Sequence, residues 1–141
     1  MDFFYSHISS QAAKLVGETI NSTFISAGKK AAQFEEELSN ELGFVNPVTV
    51  NSGTAALHLS LAMAGVGPGD EVILSPQTFI ATGTIILQQF AVPVFADIQY
   101  ETGNIDPASI ESKITEKTKA IIPVHWAGYP CDMDEINEIA Q

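Results

Sequence analysis

Arginine is absent from this chain, and six lysines stand against 17 acidic residues, for a formal net charge of −11. A phosphate backbone is gripped by clustered cations, so this supply disfavours nucleic acid as a partner. An anionic membrane surface is disfavoured for the same reason. Cys131 is the single cysteine, so no intrachain disulfide can form. A reducing, cytoplasmic setting fits that count. The start, Met1 to His7, lacks the basic and long apolar regions of a secretory leader. The longest apolar stretch, Phe79 to Ala96, is interrupted by Gly83, Gln88, Gln89 and Pro93, and is no membrane span. Neither GxGxxG nor GxxxxGK[ST] occurs, which counts against a dinucleotide or P-loop protein. No internal repeat, low-complexity tract or linker stands out, and no metal site is expected.

What is present is a chain able to bury a core. Of its 141 residues 45% are hydrophobic, and the length allows one domain. The first forty residues predict two helices. One runs from Ser10 to about Ser22, with Ala12, Ala13, Leu15, Val16 and Ile20 as a mixed apolar stripe. Residues 23–28 predict a loop. The second helix, Lys29 to Leu42, places Ala32, Phe34, Leu38 and Leu42 mainly on one face and stops at Gly43. Its glutamates, Glu35, Glu36, Glu37 and Glu41, read as a solvated face.

From residue 44 strand and helix alternate. The pattern predicts strand Val48–Val50, helix Thr54–Ala64, strand Glu71–Ser75, and a helix opening at Pro76-Gln77-Thr78 and reaching about Phe90. Strand Pro93–Ile98 follows. Asp106-Pro107 supplies an N-cap with proline at the first helical position. Strand Ala120–His125 comes next, and Asp132 with Glu135 has the spacing of a capping box for the last helix. The strands are short, continuous apolar runs. Such runs mark a parallel sheet covered on both faces, which gives an α/β, three-layer fold. Ligands in such sheets sit beyond the carboxyl ends of the strands. The turns Asn51–Thr54, Pro76–Phe79 and His125–Gly128 all belong to that edge.

The turn after Val48-Thr49-Val50 is the most informative of these. The first turn of a helix leaves backbone N–H groups unpaired and carries partial positive charge. An anion fits there, with Ser52 and Thr54 adding hydroxyls and Gly53 allowing close approach. The geometry suits the phosphate of a small cofactor. A capped helix without a ligand has the same residues and remains an equal reading. Phe79 read on burial alone is an apolar core residue at a helix start. His125 is either a contact at the site edge or a satisfied imidazole. Asp97 reads as a capping carboxylate, and His58 and His7 carry no assigned role.

Taken in order, Asn51-Ser52-Gly53-Thr54-Ala55-Ala56-Leu57, Gly69-Asp70-Glu71-Val72-Ile73 and Thr78-Phe79-Ile80-Ala81-Thr82 resemble the DegT/DnrJ/StrS-type nucleotide-sugar aminotransferases. Asn104-Ile105-Asp106-Pro107, the run from Ile114 to His125, and Cys131 to Ile136 extend the resemblance over nearly the whole chain. Each motif is weak by itself; their order and spacing are specific. The resemblance implies pyridoxal 5′-phosphate, the fold-type I architecture, and amino-group transfer, typically from glutamate, to a nucleotide-linked keto-sugar. It implies that Ser52, Gly53 and Thr54 hold the cofactor phosphate and that Phe79 stacks on the pyridine ring. It implies a homodimer for the full-length protein. Gly83, Gly28-Lys29 and Tyr129 depart from the usual pattern, and Tyr129 leaves the substrate open.

The same resemblance places the Schiff-base lysine, and the carboxylate that pairs with the pyridine nitrogen, beyond Gln141. Lys113, Lys117 and Lys119 read as surface charges. The expectation is therefore the N-terminal part of a large domain: a helical segment over 1–43, then β/α repeats over 44–141, inactive alone. A sugar dehydratase of the same family and a non-catalytic remnant or interaction module are the competing expectations.

Overall fold

The computed structural model describes residues 6–22 and 24–141. The leader question at Met1–Tyr5 and the start of the predicted loop at Thr23 lie outside them. The described residues form two compact units, one ending at Thr49 and one running from Val50 to Gln141.

The first unit carries two helices. Helix α1 spans Ser10–Asn21, its first turn capped by Ser9, whose Oγ accepts from the Ala12 amide at 3.1 Å. Helix α2 spans Lys29–Leu42 and ends where Gly43 turns left-handed at φ 71°, as the sequence predicts. Glu35 on α2 accepts both the Thr49 amide and the Thr49 hydroxyl, each at 2.7 Å. Two donors on one oxygen stabilise the ionised carboxylate and hold its pKa below the ordinary value.

The second unit is a three-layer α/β structure. Its elements are α3 (Gly53–Met63), β1 (Glu71–Leu74), α4 (Ala81–Gln88), β2 (Val92–Phe95), α5 (Pro107–Lys113), β3 (Thr118–Ile122), a 3₁₀ turn (Trp126–Gly128) and α6 (Met133–Ile139). The three strands are parallel in the order β2-β1-β3. Because side chains alternate along a strand, β1 feeds two cores. Val72 and Leu74 pack with Leu61 of α3, Ile85 and Ile86 of α4, and Ala120 and Ile122 of β3. Ile73 points the other way, into Ile105, Ile110 of α5, Ile136 of α6, Val94 and Ile121. Helices therefore cover both faces. No helix among the described residues is long and apolar enough to cross a membrane.

Several sequence expectations are corrected. Val48–Val50 forms no strand, since neither edge of the sheet pairs with it; Val48 is 77% exposed. Residues 76–80 form turns rather than the opening of α4. There the Gln77 amide donates to Ser75 Oγ at 3.1 Å, and the Thr82 amide to the Phe79 carbonyl at 3.0 Å. At the other end of α4, Phe90 is left-handed at φ 58° and closes the helix. Strand β2 ends at Phe95, because the Ile98 amide turns back to Asp97 Oδ1 at 2.9 Å and Ile98 bridges Ile105. Strand β3 ends at Ile122, before Pro123, which has no N–H to continue a ladder. The capping box at α6 is not made: Asp132 spends its carboxylate on Gln99 Nε2 at 2.9 Å.

Candidate functional site

Chain reversals fix which end of the sheet each turn occupies. Helix α3 ends at Met63, and the Ala64–Asp70 turn feeds β1, so the N-terminus of α3 lies at the carboxyl edge of β1. The Ser75–Ile80 turn leaves β1 at that edge. The loops after β2 and β3 leave the sheet there too, since all strands are parallel.

Ser52 sits in extended backbone as the N-cap of α3. Its Oγ accepts from the Ala55 amide at 3.2 Å, and its carbonyl from the Ala56 amide at 3.1 Å. That leaves the Gly53 and Thr54 amides without a protein acceptor among the described residues. No acidic residue stands in the first turn, so the positive end of the helix dipole is uncompensated. Space beside Gly53 is open: a Cβ there would meet nothing within 4 Å. Two free amides, a cap hydroxyl, the Thr54 hydroxyl and open space form a seat for a dianion, and the residues fit a phosphate group.

Phe79 is not a core residue. It is 76% exposed, beside the buried start of α4. The burial reading fails because the turn at 76–80 carries the ring outside the helix face that packs on the sheet. An exposed aromatic at the ligand edge can cover a flat ring. His125 lies three residues past the end of β3, exposed, with Nδ1 accepting the Cys131 amide at 3.0 Å. A ring nitrogen that accepts carries no proton, so the imidazole proton resides on Nε2.

What joins these turns carries little signal in consecutive residues. Asn104, 2% exposed, follows β2 and stitches the loop after β3. Its Oδ1 accepts the Trp126 amide at 2.9 Å, and its Nδ2 donates to the Tyr129 carbonyl at 3.1 Å and the Pro130 carbonyl at 2.9 Å. Gly103 is left-handed at φ 72°, and a Cβ there would stand 2.8 Å from Gln77 Nε2 and 2.9 Å from Trp126 Cδ1. The turns after β1, β2 and β3 thus meet at Gly103. They line a cavity of about 590 Å³ that includes Gln77, Tyr100, Thr102 and Trp126. The sequence marks Thr102-Gly103-Asn104 only as a turn; that its asparagine is buried is visible in the structure alone.

Other candidates fall to structural roles. Cys131 is buried, donates its thiol to the Val124 carbonyl at 3.2 Å, and has its pKa raised by burial, with the Asp132 charge adding to it. That is the opposite of an activated nucleophile. Asp97 caps its own loop through Ile98. Lys113, Lys117 and Lys119 lie around the start of β3, at the amino edge of the sheet and away from Ser52, Phe79 and His125. No cluster of three or more histidine, cysteine or acidic groups able to hold a metal occurs among the described residues.

The DegT/DnrJ/EryC1/StrS aminotransferase family pattern matches residues 6–141. The chain belongs to that family. Among its relatives, the spore coat polysaccharide biosynthesis protein SpsC of Bacillus subtilis is 51% identical over 126 residues, 89% of this chain and 32% of SpsC. GDP-perosamine synthase of Caulobacter vibrioides is 42% identical over 125 residues, 88% of this chain and 34% of that protein. The PMP form of Spr1654 from Streptococcus pneumoniae superposes with a TM-score of 0.92 at 40% identity, covering 99% of this chain and 35% of Spr1654. Spr1654 has also been solved in a PLP form. The family is pyridoxal-phosphate-dependent, and the fold is that of the fold-type I aminotransferases. The chain spans about a third of the length of the relatives it matches.

Proposed function

We propose that this chain supplies the phosphate seat and the ring cover of a pyridoxal-phosphate-dependent sugar aminotransferase. The observation that carries the proposal is the first turn of α3. Its acid-free end offers the Gly53 and Thr54 amides to a dianion, at the same sheet edge as the exposed ring of Phe79. Ser52 adds its hydroxyl as donor while its lone pair caps the helix. Phe79 would cover one face of the pyridine ring. When bound, pyridoxal phosphate supplies an electron-withdrawing ring that stabilises charge at the carbon bearing the migrating amino group. This chain's part would be to hold the phosphate end and cover one face, leaving the other face open to substrate. His125 presents Nε2–H at the rim.

The substrate class we infer is a nucleotide-linked keto-sugar, with glutamate as amino donor, in polysaccharide or amino-sugar biosynthesis. SpsC and GDP-perosamine synthase support this by their names and their identity to the chain. We further infer that the whole protein is a cytoplasmic homodimer, with residues 1–43 as the helical segment leading into the large domain.

Backbone NMR of the 141-residue chain tests the site. Inorganic phosphate is expected to shift the Gly53 and Thr54 amides and leave Phe79 unmoved. Pyridoxal phosphate is expected to shift all three. Unmoved Gly53 and Thr54 amides at millimolar concentrations of both ligands would overturn the assignment.

A further inference from the structure

Asn104 lies on a different loop from His125, yet it bonds both ends of the turn that follows His125. The 3₁₀ turn that follows His125 is an uncomfortable one: Ala127 and Gly128 are both left-handed, at φ 50° and 84°. A left-handed alanine costs about 1–2 kcal/mol, so this turn persists because something holds it. Two backbone bonds close the turn itself, Gly128 N–H to the His125 carbonyl at 3.1 Å and Tyr129 N–H to the Trp126 carbonyl at 2.9 Å, and one buried side-chain amide ties it to the rest of the unit. Asn104 Oδ1 takes the Trp126 amide at the entrance to the turn, and Nδ2 gives its two hydrogens to the Tyr129 and Pro130 carbonyls at the exit. The acceptor and donors of one planar group close the loop at both ends.

The closed loop has a chemical consequence at His125. With Trp126 to Pro130 looped back, the Cys131 amide comes to 3.0 Å from His125 Nδ1 and donates to it. Cys131 itself is anchored, its side chain buried and its thiol bonded to the Val124 carbonyl. Nδ1 is therefore committed as acceptor, and the neutral ring holds its proton on Nε2.

We propose that Asn104 is the positioning residue of the site: by closing the 126–130 loop it selects the Nε2–H tautomer of His125 and offers one hydrogen-bond donor at the carboxyl edge of the sheet. The ligand group met there is an oxyanion or hydroxyl oxygen, because a protonated Nε2 donates and cannot accept. Gly103, the neighbour of Asn104, lets Trp126 lie against the same loop. The role of that donor rests on the functional proposal above; the tautomer does not, since it is a property of the ligand-free chain.

Long-range ¹H–¹⁵N correlation spectra of the uniformly labelled chain read the tautomer directly. In the wild type, Nε2 is expected to carry the proton and Nδ1 none. Asn104→Leu removes all three bonds. It is expected to give a mixture of both tautomers and to speed exchange of the Cys131 amide by about tenfold, the loss of one net hydrogen bond. Asn104→Asp keeps the acceptor for Trp126 and loses both donors. It is expected to keep the Trp126 amide protected while freeing the loop exit, so it gives an intermediate tautomer ratio. A wild-type His125 with its proton on Nδ1 would overturn the proposal without any variant. So would a folded Asn104→Asp chain with an unchanged tautomer and unchanged Cys131 exchange. Phosphate shifts at Gly53 and Thr54 are expected to survive both substitutions, which separates this test from that of the phosphate seat.

Discussion

Replacing Ser52 by aspartate separates the two roles assigned to that position. As a cap, aspartate is as good as serine: its carboxylate can accept the Ala55 amide that Ser52 Oγ now accepts at 3.2 Å. It also places negative charge at the positive end of α3, where no acid stands now, which is worth about 0.3–1 kcal/mol in favour of the helix. The melting temperature is therefore expected to hold or rise. As a phosphate seat, however, the same site is poisoned. A carboxylate about 5 Å from a phosphate dianion is repelled by roughly 1.7 kcal/mol even at the dielectric constant of water, a loss of roughly fifteenfold in affinity. Ser52→Ala separates the effects in the other sense. It loses the cap, about 1 kcal/mol, and keeps the Gly53 and Thr54 amides. Thermal melts and phosphate titrations followed at the Thr54 amide, at low ionic strength so that screening does not mask the repulsion, measure both. A Ser52→Asp chain that binds phosphate as tightly as the wild type would refute the reasoning, because no anion could then be seated on that helix end.

Three further outcomes are expected. Gly103→Ala puts a Cβ 2.8 Å from Gln77 Nε2 at a left-handed position; a urea melt should show a loss of about 1–2 kcal/mol, and an unchanged midpoint would mean that the three loops do not meet there. Ile73→Ala empties the buried centre of the middle strand and should cost about 2–5 kcal/mol; a loss under about 1 kcal/mol in the same melt would deny the second core. Glu35 has its pKa lowered by its two bonds from Thr49, so its contribution to the 1–49 unit is present above the unfolded value and is lost as pH falls through the folded one. A ¹³C titration should place its midpoint below the ordinary glutamate range, and Thr49→Val, which removes the hydroxyl and keeps the amide donor, should raise it only part of the way back; a wild-type midpoint at the ordinary value would show that the bonds are not made in solution.

Legibility in the sequence followed the range of the interactions. Helix α2 was readable to the residue, because Lys29–Leu42 is bounded by Gly28 and Gly43 and a helix end is a local matter. Asp106-Pro107 was readable for the same reason: the Asp106 side chain accepts the Ala108 amide two residues on. Where a residue had a choice between a local and a distant partner, local reasoning failed. Asp132 had the spacing of a capping box and took Gln99 instead. Val48–Val50 had the composition of a strand and found no strand to pair with. Phe79 had the composition of a core residue, and its turn placed it outside.

The sequence by itself determined the α/β alternation and the phosphate-seat candidates Ser52, Gly53 and Thr54, because periodicity, caps and a glycine turn are written in consecutive residues; the family was legible as a resemblance in the order and spacing of its motifs. Only the tertiary structure decided that Asn104 bonds both ends of the loop after His125, that His125 Nδ1 accepts the Cys131 amide, and that Lys113, Lys117 and Lys119 lie at the amino edge of the sheet. Those facts depend on which loops the parallel sheet brings to one edge, and residues more than twenty positions apart in the chain acquire a shared chemistry only once the strands have paired.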